Sequence, residues 1–516
     1  MFKHFLQLVI MIILAQTLIL SQTTYYVSVN GNNNNNGLTI NTAFATLEYA
    51  SNVVSAGDSV LVLPGSYTGF DIRTSGTSTQ PIVFKTLSND VIINVRNPIT
   101  TDGINIESAD WIEIHGFNVI NQPRAGIRVV LANFVMIKNN TCSNNYKWGI
   151  FTGFTDDILI ESNSCSYSQD EHGIYVSNSS DRPTIRNNHS FNNNGCGIHM
   201  NGDISMGGDG IISNAIVEGN IIHDNGYGGG SAINMDGVQD SKIFNNLIYN
   251  NHATGIAMYQ IDGAEGSKNN KVFNNIVVHP ADGRWAILIV DGSTGNTVYN
   301  NILINKHSFR GSISIDAASS TDFVSDYNIL VNRLSDDDGS SNMTLTQWQA
   351  LGYDIHSMIA DPEGQIFVNP LTGNFHLLQN SQAVDAGTNL VLPIVFEDLD
   401  NISRPQGSGV DIGCYEYTGT TEVVEEIIPQ SFQLYQNYPN PFNPSTKISW
   451  QSTVGSWQTL KVYDVLGNEV VVLVDEYKPA GNYEINLNAN NFPSGVYFYR
   501  IQADELIQTK SMVLIK

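Results

Sequence analysis

One repeating pattern governs what this chain can become. Gly-Ile-x-apolar begins at Gly103, Gly126, Gly149, Gly173 and Gly197, returns at Gly255, and recurs as Ala-Ile at Ala232 and Ala286. The successive spacings are 23, 23, 24, 24, 35, 23 and 31 residues. A second series runs in phase with it, including Asn139-Asn140, Ser162-Asn163, Asn187-Asn188, Gly219-Asn220, Asn245-Asn246, Asn274-Asn275, Asn300-Asn301 and Tyr327-Asn328. Each unit holds two or three short alternating strands between Gly/Asn turns. That leaves no room for a helix, which excludes leucine-rich and helical repeats. Stacking one unit per coil puts equivalent positions one strand spacing, ~4.8 Å, apart. An Asn at one bend then repeats because its amide can hydrogen-bond to its equivalent one coil away. The pattern predicts an all-β chain: a single-stranded right-handed parallel β-helix of about ten coils, followed by a small C-terminal β-sandwich.

The charge balance narrows the partners. The 516 residues carry 24 Lys+Arg against 49 Asp+Glu, a net charge of −25, and only 14% are charged. Asn, Gly, Ser and Thr supply the polarity instead, which rules out a coiled coil or helical bundle. So acidic a field repels phosphate, which argues against nucleic acid. At the front, Lys3 and His4 precede the apolar stretch Phe5–Leu20 and the small Ser21, so residues 1–21 read as a secretory signal peptide. No later segment is apolar enough to cross a bilayer. An exported monomer without a transmembrane segment is expected.

The β-helix is expected over residues 22–355. Its opening cap is an amphipathic helix at Phe44–Val54, followed by Gly57-Asp-Ser-Val60-Leu-Val-Leu63-Pro-Gly-Ser-Tyr67. With the coil grammar, this makes residues 25–335 resemble right-handed parallel β-helix proteins of the pectate-lyase-like superfamily. That superfamily includes polysaccharide lyases, mannuronan epimerases and some glycoside hydrolases. Residues 356–417, with Asp361-Pro, Asp385-Ala-Gly, Asp398, Arg404-Pro, Asp411-Ile-Gly-Cys and Glu416, resemble the closing segment of such exported proteins. Their Asp, Arg and Glu are read as structural ties. An acidic linker is expected over 418–431. From 432 to 516, Tyr438-Pro-Asn-Pro441-Phe-Asn-Pro444, Val462-Tyr-Asp-Val-Leu-Gly467, Gly495-Val-Tyr-Phe-Tyr-Arg500 and the closing Lys510–Lys516 resemble a type A C-terminal sorting domain of the type IX secretion system. That resemblance implies the type IX secretion machinery as a partner and a destination outside the outer membrane, secreted or at the cell surface.

Chemistry must lie on an outer face, because the interior is packed. If the Gly-Ile isoleucines point inward, one outward column reads Asn105, Arg128, Phe151, Tyr175, His199, Asn234, Ala257, Leu288. The next outward column includes Glu107, Ser177, Asn201, Asp236 and Tyr259. Two longer coils place inserts at 202–214 and 260–270, as walls beside this strand. Tyr175 and His199 should emerge side by side, with His172 entering from the turn, Lys147 at the corresponding turn one coil earlier, and Arg128 within reach. These types suit proton abstraction next to a uronate carboxylate. Lys147 or Arg128 would neutralise the carboxylate, His172 or His199 would act as base, and Tyr175 would protonate the leaving oxygen. Trp148, Phe151, Asn201, Asn234 and Tyr259 are candidate substrate-binding residues, the aromatics stacking on sugar rings. Asp203, Asp236 and Asp262 come from three successive coils and would suit Ca²⁺, unless they serve as Asp-Gly turn residues.

The expected function is a polysaccharide lyase cleaving a uronic-acid-containing polysaccharide by β-elimination. The alternatives are a glycoside hydrolase, a uronan epimerase, or a non-catalytic carbohydrate-binding or cell-surface protein. Two features depart from relatives on this fold: Tyr167-Ser-Gln-Asp170-Glu-His172 is out of phase with the epimerase signature that it resembles, and no lysine stands on the groove strand. Cys142 and Cys165 should stack in adjacent coils, as a disulfide or as buried thiols, while Cys196 and Cys414 share no metal-ligand spacing.

Overall fold

The computed structural model describes residues 22–419, 432–452, 456–478, 481–490, 492–503 and 506–516. The expected signal peptide and most of the expected linker lie outside the described residues. The chain divides into two units, Met1–Gly419 and Thr420–Lys516.

The first unit is a parallel solenoid with three faces, two sheets of twelve strands and one of ten. Every neighbouring pair in these sheets is parallel, and the ten-stranded sheet carries the Gly-Ile strands. Pairing is in strict register: Ile127 with Ile150, Ile150 with Ile174, Ile174 with Ile198, Ile198 with Ile233, and on to Ile256, Ile287 and Ile313. These isoleucines are fully buried in one continuous core, together with isoleucines and valines of the other two faces.

The Asn pairs have separate jobs. The first residue of each pair takes the left-handed backbone: Asn139, Asn187, Asn245, Asn274 and Asn300 have φ between 52° and 58°, and Gly219 has 63°. Asn and Gly tolerate that conformation best. The second turns inward and builds the ladder. The Nδ2 of Asn140 donates to Oδ1 of Asn163 at 3.0 Å, and the relay continues through Asn188, Asn220, Asn246, Asn275 and Asn301 to Asn328 at 2.9–3.1 Å. Each Oδ1 also accepts the backbone N–H of the preceding coil's Asn, so the buried amides are satisfied along the axis.

At the front, Thr46 caps helix Leu47–Val53, whose Leu47 and Ala50 seal the first coil. At the rear, helix Leu345–Ala350 drives Leu345 and Trp348 into the same core. In the segment after it, the expected closing segment 356–417, Met358–Ile359 adds the last strand of one twelve-stranded sheet, and the chain then leaves the end of the coil stack. It runs along the outer faces of the coils, where Phe367, Phe375 and Leu377 pack on Leu247, Ile276 and Ile302, while Val391 and Val395 pack on Phe244 and Phe273. The left-handed asparagines dock it: Asn274 donates to the Asp411 and Gly413 carbonyls, and Asn300 to that of Thr388. Arg404 and Glu416, both with fully buried side chains, pair at 2.6 Å, and Arg404 also donates to the side-chain Oδ1 of Asn245. Outer strands with apolar side chains need cover, and the rear helix already closes the axis.

Cys142 and Cys165 pair in register and are buried, both as free thiols. A hydrogen bond to Cys142 first, and burial second, push the Cys165 thiol up. The second unit holds two antiparallel sheets, of three and four strands, around Trp450, Leu460, Tyr499 and Ile501.

Candidate active site

The outward columns of the ten-stranded sheet are as expected. Arg128, Phe151, Tyr175, His199 and Asn234 follow one another in register, as do Ser177, Asn201, Asp236 and Tyr259. Strands Ile174–Ser177 and Ile198–Asn201 set Tyr175 against His199, with rings stacked at 4.7 Å and 15° between planes.

Proton positions follow from the hydrogen bonds. Nδ1 of His172 accepts the Cys196 backbone N–H at 3.0 Å, so it carries no proton. The neutral His172 proton therefore sits on Nε2, which lies 2.9 Å from Nδ1 of His199. That forces the His199 proton onto Nε2, which is buried and has no protein partner. Burial first, and the Lys147 charge second, hold His172 at about 3, and burial also holds His199 well below its ordinary value. Both rings are neutral at neutral pH, and His199 offers an N–H donor. The expectation of an imidazole base therefore meets a physical obstacle: His172 has both nitrogens engaged, and the free nitrogen of His199 is protonated.

Tyr175 is the other group at the centre. Its hydroxyl accepts from Asn201 Nδ2 at 3.3 Å, and burial raises its pKa. Trp148 stacks on Phe151 at 4.5 Å, and both rings flank Tyr175. Glu171, unremarked in the sequence reading beyond its place beside His172, organises this corner. It takes Lys147 Nζ at 2.6 Å on one oxygen and Trp148 Nε1 at 2.7 Å on the other. Its spacing from Lys147, one coil on at the same turn, was the available signal. Arg128 is likewise committed, to Asn105 at 2.7 Å and Glu107 at 2.9 Å. Both cations expected to meet a carboxylate are already paired. Asn234 holds the Tyr259 hydroxyl and accepts from Ser231.

The three aspartates do not fit a shared cation. Both oxygens of Asp236 are spent on the backbone N–H groups of Ile261, Asp262 and Gly263, at 2.8–3.0 Å, which anchors the 260–263 turn. Asp203 caps the short turn Ile204–Met206, and Asp262 accepts from Asn201 at 3.2 Å. The two inserted loops hydrogen-bond to each other through Ile204 to Asp262 and Ala264 to Gly210. Among the described residues, one place gathers three potential ligands, His172, Cys196 and His199. A metal on Nε2 of His172 would drive the ring proton to Nδ1, against the Cys196 N–H, so this cluster does not fit a metal either.

Residues 25–195 match the family model described as "Pel9A-like, right handed beta helix region". The solenoid is a right-handed parallel β-helix, and its residues 25–195 resemble the Pel9A-like kind. Residues 436–516 match "Secretion system C-terminal sorting domain", which marks the chain for export outside the outer membrane. Residues 204–335 match "Periplasmic copper-binding protein (NosD)", a stretch that does not include His172, Cys196 or His199. Among solved structures, pectate lyase Pel9A aligns at 17% identity and TM-score 0.51, over 77% of this chain and 96% of that one. A rhamnogalacturonan lyase aligns at 16% and 0.43, over 61% and 86%, and an alginate lyase from Paenibacillus sp. str. FPU-7 at 18% and 0.40, over 52% and 94%. At 17% identity the likeness to pectate lyase Pel9A establishes the fold. No curated protein matches the chain in sequence. Among the described residues, no helix is long and apolar enough to cross a membrane.

Proposed function

We propose that this chain is an exported carbohydrate-active enzyme that binds a uronic-acid-containing polysaccharide along the ten-stranded sheet and cleaves it by β-elimination. The observation that carries the reading is the buried, unpartnered Nε2–H of His199 beside the stacked Tyr175. A buried donor without an acceptor costs about 1–3 kcal/mol, and a ligand oxygen relieves it. In this reading His199 Nε2–H binds the uronate carboxylate and stabilises the charge that grows there as the neighbouring carbon loses its proton. Tyr175, as phenolate, takes that proton, and Asn201 steadies the phenolate through its amide. The electron pair left behind forms the carbon–carbon double bond, the bond to the bridging oxygen breaks, and Tyr175 returns the proton to that oxygen. No water is consumed. Trp148 and Phe151 offer the apolar platform for a sugar ring beside this centre.

A second reading, a non-catalytic polysaccharide-binding protein, draws on the high pKa of Tyr175 and on the ion pairs that occupy Lys147 and Arg128. Incubating the full chain with pectate, alginate and other uronans separates the two. Unsaturated chain ends, seen by ultraviolet absorbance, support elimination. Binding without cleavage supports the second reading, and chain shortening without unsaturation supports a hydrolase.

A further inference from the structure

The turn entering each Gly-Ile strand has its own column, three residues before each inward isoleucine. It reads Arg124 and Lys147 at one end, Glu171 and Gly195 on the strands of the reacting pair, then Gly230 and Ala253, and Arg284 and Arg310 at the other end. The strand register fixes these equivalences, and the turn backbones stack accordingly: Lys147 N–H donates to the Arg124 carbonyl, and Arg284 N–H to that of Ala253.

The two ends differ in one respect. Arg124 pairs with Asp102 at 2.6 Å and Lys147 with Glu171 at 2.6 Å. Arg284 and Arg310 have no ion-pair partner among the described residues, and their side chains reach solvent. Their backbones are nonetheless fixed. Arg310 N–H donates to His307 Nδ1 at 2.9 Å, its carbonyl accepts from Arg333 Nε at 3.2 Å, and Asn305 Nδ2 ties the Arg284 carbonyl. The Arg310 and Arg333 charges, after burial, hold His307 below its ordinary value, a sign of local positive potential. Trp285 follows Arg284 as Trp148 follows Lys147, so the cation–Trp–small–Ile sequence occurs at both ends of the groove.

We infer that Arg284 and Arg310 form a distal subsite that binds the carboxylates of an extended uronan on the groove rim. Gly195, Gly230 and Ala253 put no charged side chain on the rim between Glu171 and Arg284. From the His199 strand, the Arg284 strand is three ladder steps away and the Arg310 strand four, which is ~14 and ~19 Å at the coil spacing. That spacing is close to the length of one sugar residue, so the subsite reads carboxylates about three to four residues from the reacting centre. A guanidinium and a carboxylate form charge-assisted hydrogen bonds that a neutral sugar cannot supply.

The inference rests on the polysaccharide reading above, and its test is built to fail separately. Binding of polygalacturonate and of alginate to the full chain is measured by calorimetry, against a uronate trisaccharide too short to reach from His199 to Arg310. In the double variant Arg284→Ala/Arg310→Ala, affinity for the long chains should fall about tenfold or more and lose salt dependence, with the trisaccharide unaffected. Arg284→Lys/Arg310→Lys should restore part of the loss. Unchanged affinity for the long chains, or an equal loss for the trisaccharide, overturns the subsite. If the wild type binds, the double variant binds weakly and no unsaturated ends appear, the subsite stands and cleavage falls. If the wild type cleaves and the double variant keeps its affinity for long chains, cleavage stands and the subsite falls. A wild type that binds neither polymer overturns both.

Discussion

Nε2 of His172 lies 2.9 Å from Nδ1 of His199, and the proton between them belongs to His172, because the Cys196 backbone N–H occupies the other side of that ring. A main-chain amide therefore fixes the tautomer of both imidazoles and makes His199 a donor. Neutral histidine in this role can stabilise developing negative charge without itself titrating.

Tyr175 then carries the proton transfers. Tyr175→Phe should lower the elimination rate by about 10²–10⁴-fold with folding intact, and His199→Ala should act on the same step. His199→Gln, which keeps an N–H donor, should retain more activity than His199→Ala. Because burial raises the Tyr175 pKa above its ordinary 10, the phenolate fraction grows with each rise in pH below that value. The rate should climb steadily from neutral to alkaline pH, with no inflection from a histidine, and steady-state kinetics across that range checks it.

Acid stability follows from the same burial. His172 is held at about 3, and His189 and His279 at about 4, against 6.5 when unfolded. The unfolded chain binds protons on these groups below pH 6.5 while the fold does not, so stability is lost as pH falls from 6.5 towards 3. Asp411, raised to about 6 by burial, acts in the opposite direction and loses its contribution as pH rises through 6. Three histidines outweigh one carboxyl, so thermal melts should drop below pH 6.5, and His279→Leu should flatten that slope.

The asparagine ladder should be the costliest polar column to interrupt. Asn220 donates to the Ile185 carbonyl and to Asn246, and accepts from the amide and backbone N–H of Asn188. Asn220→Leu strands several buried groups at about 1–3 kcal/mol each, while Asn34→Ala, on an exposed turn, should cost little. Denaturant unfolding of the two variants makes the comparison.

Arg404→Met leaves Glu416 buried without its partner and should destabilise the docked flank by about 3–5 kcal/mol. Hydrogen exchange should rise first in residues 385–416, with the central coils still protected.

Metal removal is a further check on the site. With Asp236 committed to three backbone N–H groups, EDTA should leave binding and cleavage of uronan unchanged, and added Ca²⁺ should not increase either.

The fold was legible because a solenoid repeats its constraints. The Gly-Ile phase alone predicts that Tyr175 faces His199, and the paired asparagines predict the ladder. Two things were not legible. The commitments of Lys147 and Arg128 depend on Glu171 and Glu107, whose side chains reach across coils from positions that spacing locates without revealing their direction. The tautomer of His199 depends on the Cys196 main-chain amide, and a main-chain hydrogen bond leaves no mark in residue type. The path of residues 356–417 along the flank was hidden for a similar reason: its docking partners are asparagines that already had a job in the turns.

The most direct test of the central claim is the product formed from a uronan by the full chain beside Tyr175→Phe and His199→Ala, read together by ultraviolet absorbance and mass spectrometry. Elimination predicts unsaturated ends from the wild type, lacking the one water that hydrolysis would add, with both variants folded and nearly silent. Saturated ends, or unsaturated ends made equally well by Tyr175→Phe, would contradict it.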